Sequence, residues 1–222
     1  MEQVKKRVVV LFIFLVSLTV VDLYGYGRYG YGSSFVRRRS DIAITVKAGL
    51  IWADMLVERL NSHSGDFSVN GGIGVEKNIV SSWLKFAPEL FYYQNGCHID
   101  YWSSENVYLY TELRVYKYIT LPVSLKFVLG DEYAIFIQTG VEPALLISGI
   151  QSWRDIDKEE SNITSLLNKF ELRGLFSLGM QFNWFIMELR LDVSLTPAED
   201  NLEWGKMRNY SAGIIGGIKF DI

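Results

Sequence analysis

The stretch FIMELRLDVSL, residues 185–195, alternates apolar and polar side chains almost without exception. Its apolar positions are Phe185, Met187, Leu189, Leu191, Val193 and Leu195, and the residues between them are Ile186, Glu188, Arg190, Asp192 and Ser194. Because successive side chains of a β-strand point to opposite faces, one face of this strand is apolar and the other is charged. The stretch therefore predicts a strand whose two faces meet different surroundings.

The same period of two recurs in seven further stretches between Asp41 and the C-terminus. They are residues 41–50, 67–77, 83–93, 117–127, 135–147, 172–182 and 210–222. Most are ten residues or longer, and a tilted strand needs about 9–11 residues to cross a bilayer. A soluble β-sandwich would also alternate, so alternation alone leaves both architectures open.

The connections between these stretches decide between the two architectures. Tight turns are predicted near 80–82, 130–131 and 183–184, whereas the loops at 53–66, 96–107, 150–170 and 197–208 are long. Short turns at one end and long loops at the other are typical of a transmembrane barrel, and closure satisfies every backbone polar group in lipid. The sequence therefore predicts an all-β fold, an eight-stranded antiparallel up-and-down transmembrane β-barrel.

Aromatic residues support this prediction because they concentrate where the two bilayer interfaces would lie. One predicted girdle, near the short turns, contains Trp83, Phe127, Tyr133, Phe182, Trp184, Phe185 and Phe220. The other, toward the long loops, contains Trp52, Tyr92, Tyr93, Tyr108, Tyr110 and Tyr210.

The N-terminus has the pattern of a secretory signal peptide. Lys5, Lys6 and Arg7 precede the apolar run VVVLFIFLVSLTVV, residues 8–21, and small residues follow at Gly25 and Gly27. A run of fourteen residues is too short for a membrane-spanning helix, which needs about 20. We expect a signal peptide at 1–25, a flexible Gly/Tyr/Arg-rich leader at 26–40 and the barrel domain at 41–222.

An exported chain with an even number of strands is expected in the outer membrane of a Gram-negative bacterium, with both termini in the periplasm and the long loops outside. The motif GYGRYG, residues 25–30, matches the dinucleotide pattern G-x-G-x-x-G. It lacks the preceding strand and the following helix that nucleotide binding requires, so we interpret it as part of the leader.

The polar face of the strands predicts what fills the barrel. The inward charged residues would be Lys47, Lys85, Lys126, Arg173, Arg190, Lys219, Glu76, Glu89, Glu142, Glu188 and Asp192, with Gly72, Gly74, Gly179 and Gly217 among them. An eight-stranded barrel has room only for its own side chains, and buried charges must pair. We therefore predict an internal salt-bridge network; the alternative is a narrow pore, although a selective pore favours charges of one sign.

Catalytic chemistry has little support in the sequence. The two histidines, His63 and His98, fall in predicted loops, and Ser62 and Ser64 flank the first of them. Sequence neighbours rarely form the Ser–His geometry of a nucleophilic site. We expect no enzyme and no catalytic residue, with a lipid-modifying enzyme as the least favoured alternative.

Metal, cofactor and nucleic-acid binding also lack support. Cys97, His98 and Asp100 could recruit a metal, but they fall short of a full ligand set. The formal charge is −3, and removal of residues 1–25 takes away three positive and two negative charges, which gives −4. With no basic excess we expect no nucleic-acid partner, and we predict no metal-binding or cofactor-binding residues. A single cysteine excludes an intrachain disulfide.

The stretch KYITLPVSLKF, residues 117–127, places Pro122 inside a predicted strand and carries the most specific resemblance. Weaker matches are TVKAGL at 45, GGIGVE at 71, FAPELFYYQNG at 86, GVEPALLISG at 140, LDVSL at 191 and GGIKF at 216. On these residues, 41–222 resemble the PorT-like outer-membrane β-barrel proteins of the Bacteroidetes. Whether Pro122 marks a bulge is left open by the sequence.

The resemblance implies a barrel in contact with outer-membrane lipid and an accessory role, with secretion-system proteins as partners, in exporting proteins that carry C-terminal sorting domains. The alternative is a structural or adhesive surface barrel that binds ligands through its long loops. The family has no catalytic motif to transfer, and a shared fold does not by itself establish a function.

Overall fold

The computed structural model describes residues 41–57, 63–80, 82–102, 108–130, 133–154, 160–201 and 205–222. The predicted signal peptide at 1–25 and the leader at 26–40 lie outside the described residues, so both remain predictions. Within these ranges no helix is long and apolar enough to cross a membrane.

Eleven strands account for most of the described chain. They are β1 (Ile42–Val57), β2 (His63–Val80), β3 (Leu84–Trp102), β4 (Tyr108–Thr120), β5 (Val123–Leu129), β6 (Tyr133–Arg154), β7 (Ser161–Asn162), β8 (Phe170–Phe182), β9 (Phe185–Ser194), β10 (Glu199–Asn201) and β11 (Gly205–Asp221). All paired strands are antiparallel, and β11 returns to pair with β1 from Ala43↔Asp221 to Val57↔Met207.

The ring contains eight strands because three of the eleven elements do not form separate strands of the barrel wall. Strands β4 and β5 lie end to end between β3 and β6, while β7 and β10 are short additions to β6 and β11. The predicted eight-stranded antiparallel up-and-down barrel is therefore confirmed.

Pro122 explains the gap between β4 and β5. On β6, Thr120 pairs with Ala144 and Val123 pairs with Val141, so the register is the same on both sides of the proline. The pairing with β3 is equally continuous. The proline interrupts the strand only because it lacks an N–H group, and it does not mark a bulge.

The predicted faces are also correct. Outward side chains such as Leu50 (60% exposed) and Leu189 (56% exposed) are apolar, whereas their polar neighbours point inward and are buried. We call this outer surface the apolar band. It comprises residues 42–52, 67–80, 84–92, 119–129, 133–147, 170–182, 185–195 and 210–222.

Aromatic pairs mark the short-turn edge of the apolar band, as predicted. Trp83 packs against Phe127, with ring centroids 6.3 Å apart, and Tyr133 lies 4.6 Å from Phe182. At the opposite edge the prediction was wrong for Tyr93, which points inward and is completely buried.

The strands are longer than the sequence indicated, so the long-loop prediction was partly wrong. Much of 53–66 and 96–107 is strand, since β1 continues to Val57 and β3 continues to Trp102. Strand β6 has 22 residues, about twice the 9–11 that a tilted strand needs to cross a bilayer. The strand portions beyond the apolar band, residues 53–57, 63–66, 93–102, 108–118, 148–154 and 205–209, form what we call the projecting end.

On β3, the distribution of apolar and polar side chains between the two faces inverts at the projecting end, which explains the error for this strand. On β3, Cys97 and Ile99 point inward and are buried, whereas His98 and Asp100 are on the outer face. Within the apolar band most of the apolar side chains point outward. This exchange of the apolar and polar faces interrupts the alternation of residues in the sequence. The interruption resembles the end of a strand.

Candidate functional site

The interior at the level of the apolar band holds the predicted charges. Ten of the eleven are buried: Lys47, Lys85, Lys126, Arg173, Arg190, Glu76, Glu89, Glu142, Glu188 and Asp192. The eleventh, Lys219, is partly buried near the short-turn end and lies 3.0 Å from Asp221. The prediction of inward charges is correct at every position.

Two lysine-centred groups occupy the half of the lumen near the short turns. Lys47 Nζ lies 2.5 Å from Glu89 Oε1 and 3.1 Å from Glu188 Oε2. Glu76 accepts hydrogen bonds from Lys126 and, at 3.2 Å, from Lys85. Apart from the Lys85–Glu76 contact between the neighbouring strands β2 and β3, these contacts link strands that are not neighbours, so they bridge the lumen.

Arg190 is the centre of the next group. Its guanidinium donates to Asp192 at 3.0 Å, to Glu89 at 3.3 Å and to Glu142, and it lies over the ring of Phe91. A planar guanidinium with several donors suits such a multiple contact. Glu89 therefore connects the Lys47 group with the Arg190 group.

Arg173 extends the network toward the projecting end. Its guanidinium makes two 3.1 Å hydrogen bonds to Glu171 and lies over the rings of Tyr93 and Tyr118. Glu171 is fully buried, and it is absent from the predicted inward charges because the predicted strand begins at Leu172. Glu171 directly precedes Leu172, an apolar residue of the outer face, so the alternation of faces already indicated that this glutamate points inward.

Apolar layers lie on both sides of the charged network. Toward the short turns, Val128, Ala134, Phe136 and Ile186 pack together. Toward the projecting end, a larger cluster contains Ile51, Met55, Phe91, Tyr93, Cys97, Ile99, Tyr116, Tyr118, Ala144, Leu146, Ile163, Leu167, Met207 and Ile215. The described interior is thus an alternation of apolar and charged layers.

Inward glycines create the space that the network needs. A Cβ atom at Gly72 would lie 2.4 Å from the Phe91 ring, and one at Gly179 would lie 2.3 Å from the Phe136 ring. A Cβ atom at Gly217 would lie 2.9 Å from Lys47 Cγ. The inward position predicted for these glycines is confirmed, and they leave room for large neighbours on adjacent strands.

A second ion-pair group, not predicted from the sequence, lies inside the projecting end. Arg114 donates to Glu112 and, at 2.7 Å, to Glu199. Tyr101 donates to Glu112 at 2.9 Å, and burial together with Glu112 raises the pKa of Tyr101. Burial also raises the pKa of the nearby Cys97 thiol to about 12.

The residues considered for catalysis or metal binding do not converge. Cys97 is buried inside, whereas His98 is on the outer face, 3.8 Å from Asp66, and Asp100 accepts a hydrogen bond from Thr111 at 2.7 Å. Among the described residues there is no group of three or more His, Cys, Asp or Glu side chains that could hold a metal ion.

The other histidine, His63, lies within hydrogen-bonding distance of Asp54, 3.1 Å from Nδ1 to Oδ1. Asp54 also accepts a hydrogen bond of 2.9 Å from Tyr210. Ser62, which precedes His63, lies outside the described residues. The histidine is therefore part of a contact between strands, and the described atoms show no nucleophile bonded to it.

Residues 33–200 match the family described as outer membrane protein beta-barrel domain. The chain belongs to this family. No curated protein sequence matches the chain. The family match and the closed ring agree on an outer-membrane β-barrel protein in contact with membrane lipid.

Several solved structures are distantly similar in backbone course. They include the attachment invasion locus protein Ail of Yersinia pestis (11% identity, 81% of this chain and 99% of that chain, TM-score 0.45) and Neisserial surface protein A (11%, 80% and 99%, TM-score 0.45). OprG of Pseudomonas aeruginosa is a third (8% identity, 83% and 98%, TM-score 0.45). At these values no role follows from the likeness.

Proposed function

We propose that this chain is a non-enzymatic, non-conducting outer-membrane barrel that acts through its projecting end. The observation that carries this proposal is the layered interior, in which charged groups such as Lys47 and Glu89 pair and apolar clusters lie on both sides of them. A lumen filled in this way offers no path for solutes. The projecting end is then the part of the protein most available to other molecules.

The proposal includes an orientation. Both ends of the described chain, Asp41 and Ile222, lie at the short-turn end, since β1 and β11 pair there. Barrels of this kind have short turns on the periplasmic side and longer connections outside. The projecting end would therefore stand above the cell surface, and protease added to intact cells should cleave between β3 and β4 but not at the short turns.

Cell attachment tests the proposed role. In the test variant, residues 99–112 are replaced by an Asn-Gly turn, which shortens the β3–β4 hairpin and leaves the apolar band unchanged. Cells producing the parent protein should attach to polysaccharide-coated or protein-coated surfaces better than a deletion strain, and the shortened variant should lose this gain. Equal attachment of all three strains would contradict the proposal, provided that the shortened barrel is folded and present at the surface.

The secretion-accessory role is the alternative proposal, and it rests on the PorT-like resemblance alone; the comparisons give it no support. It predicts that a gene deletion removes proteins with C-terminal sorting domains from the medium and accumulates them in the periplasm. Mass spectrometry of both fractions measures this. An unchanged set of exported proteins would exclude the secretion role.

A further inference from the structure

Six side chains on the outer face of the projecting end form a grid over β3, β4 and β6. In one row Thr111 pairs with Asp100 on one side and with Arg154 on the other. In the next row Leu113 pairs in the same way with His98 and Ser152. Five of these residues, with Trp153, line a pocket of about 220 Å³: His98, Thr111, Leu113, Ser152 and Arg154.

The polar groups of the grid are held by hydrogen bonds within it. Thr111 Oγ1 donates to Asp100 Oδ1 at 2.7 Å and lies 2.8 Å from the hydroxyl of Tyr108. The ring of Tyr108 meets that of Trp102 edge-on, with centroids 5.6 Å apart, and both rings are exposed. Asp100, with its hydrogen-bonded carboxylate, and Arg154 thus lie on either side of Thr111, and the apolar Leu113 is in the adjacent row.

We propose that this pocket binds one sugar ring that carries an acidic group, within a surface polysaccharide. The proposal rests on the proposed function, since it names the ligand class of the projecting end. Among the lining residues, Ser152 suits the hydroxyl groups of a sugar as a hydrogen-bond partner, and Arg154 suits a carboxylate through charge-assisted bonds. Leu113 suits the apolar face of the ring through van der Waals contact.

The size and position of the pocket exclude other ligand classes. Its volume is below the roughly 300–1,000 Å³ of sites for drug-sized molecules, which favours a single ring. An extended peptide would add to a free strand edge, whereas Thr111 and Leu113 lie on β4, which is paired with β3 on one side and with β6 on the other. A nucleic acid would require a basic stripe, whereas the lining contains a single arginine and a histidine that lies 3.8 Å from Asp66.

The test measures binding of trigalacturonate, an acidic probe, and of neutral galactotriose to the full barrel in detergent micelles by calorimetry. The parent protein should bind trigalacturonate more tightly than galactotriose. Arg154→Gln should weaken trigalacturonate binding about tenfold, because it removes a charge-assisted bond. Leu113→Trp should abolish binding because it fills the pocket. The matched control is Arg208→Gln, which removes an outward arginine from β11, far from the pocket, and should change nothing.

The inference would be overturned if neither probe binds to the parent protein. It would also be overturned if Arg154→Gln and Arg208→Gln weaken trigalacturonate binding equally. The attachment experiment separates this failure from that of the proposed function. If hairpin shortening abolishes attachment and no trisaccharide binds, only the sugar site is wrong. If trigalacturonate binds as expected and attachment never depends on the protein, the proposed function is wrong and the site remains.

Discussion

Lys47 on β1 reaches Glu89 on β3 across the intervening strand β2, with 2.5 Å between the ammonium nitrogen and the carboxylate oxygen. Strand β2 contributes glycine at the crossing, because a Cβ atom at Gly74 would lie 2.9 Å from Glu89 Cγ. The pair therefore depends on two features at once: an inward charge on each of two strands and an inward residue without a side chain between them.

Lys47→Met is expected to destabilise the barrel strongly. The substitution leaves Glu89 and Glu188 without their lysine in a buried site, and breaking a buried pair in this way costs about 3–5 kcal/mol. Equilibrium unfolding in urea, with the barrel in lipid vesicles, measures the loss.

The double variant Lys47→Met/Glu89→Gln is the control for this prediction. It removes one of the two carboxylates that lose Lys47, so it should be less destabilised than the sum of the single variants. Additive losses would show that the two residues do not interact in the folded barrel.

Two glycines in the apolar band should respond oppositely to valine. Gly72→Val places a side chain against the Phe91 ring and the Leu90 carbonyl, so overpacking should cost about 1–3 kcal/mol or more. At Gly216, which faces outward, a Cβ atom would have no neighbour within 4 Å, so Gly216→Val should be neutral or stabilising. Unfolding measurements on both variants test the assigned faces, and a greater loss at Gly216 would contradict them.

Cys97 should be unreactive while the barrel is folded. The thiol is buried, and burial raises its pKa to about 12, so almost no thiolate exists at pH 8. A disulfide reagent such as Ellman's should modify it only after unfolding. The control, Cys97→Ser/His98→Cys, moves the thiol one residue along β3 to the outer face and should react rapidly when folded. Equal rates of thiol modification for the two folded proteins would contradict the assignment of Cys97 to the inner face and of residue 98 to the outer face of β3.

Pro122→Ala should leave stability nearly unchanged. The Pro122 carbonyl accepts a 2.9 Å bond from the Glu89 N–H, but proline cannot donate the reciprocal bond. Alanine can donate it, which adds about 1 kcal/mol, while the more flexible unfolded chain offsets a similar amount. A loss above about 3 kcal/mol, well beyond these two contributions, would show that the proline has a packing role that the continuous register does not explain.

The sequence predicts the apolar band well because one physical rule applies there. A strand between lipid and a polar lumen must be apolar on one face, and each inward charge from Lys47 to Asp192 follows from this rule. The rule fails at the projecting end, where the outer face of β3 carries His98 and Asp100. With no lipid outside, the outer face need not be apolar and the alternation reverses on β3, so the sequence no longer distinguishes a strand from a loop there.

Pairing within the lumen could not be predicted from inward positions alone. Glu89 meets both Lys47 and Arg190, and this choice depends on the register of five strands and on the glycines between them. The outer pocket has the same origin, because Thr111 meets Asp100 and Arg154 only through the pairing of β4 with β3 and β6. A single sequence contains the residues of both sites but not the register that joins them.

Electrical conductance across a planar lipid bilayer is the most direct test of the sealed lumen. The purified parent barrel should insert without producing channels, because paired charges and two apolar layers fill the interior. Antibody binding or protease protection must first show that the protein has inserted. Stable single-channel steps from the inserted, folded barrel would contradict the account and would make the lumen, in place of the projecting end, the functional site.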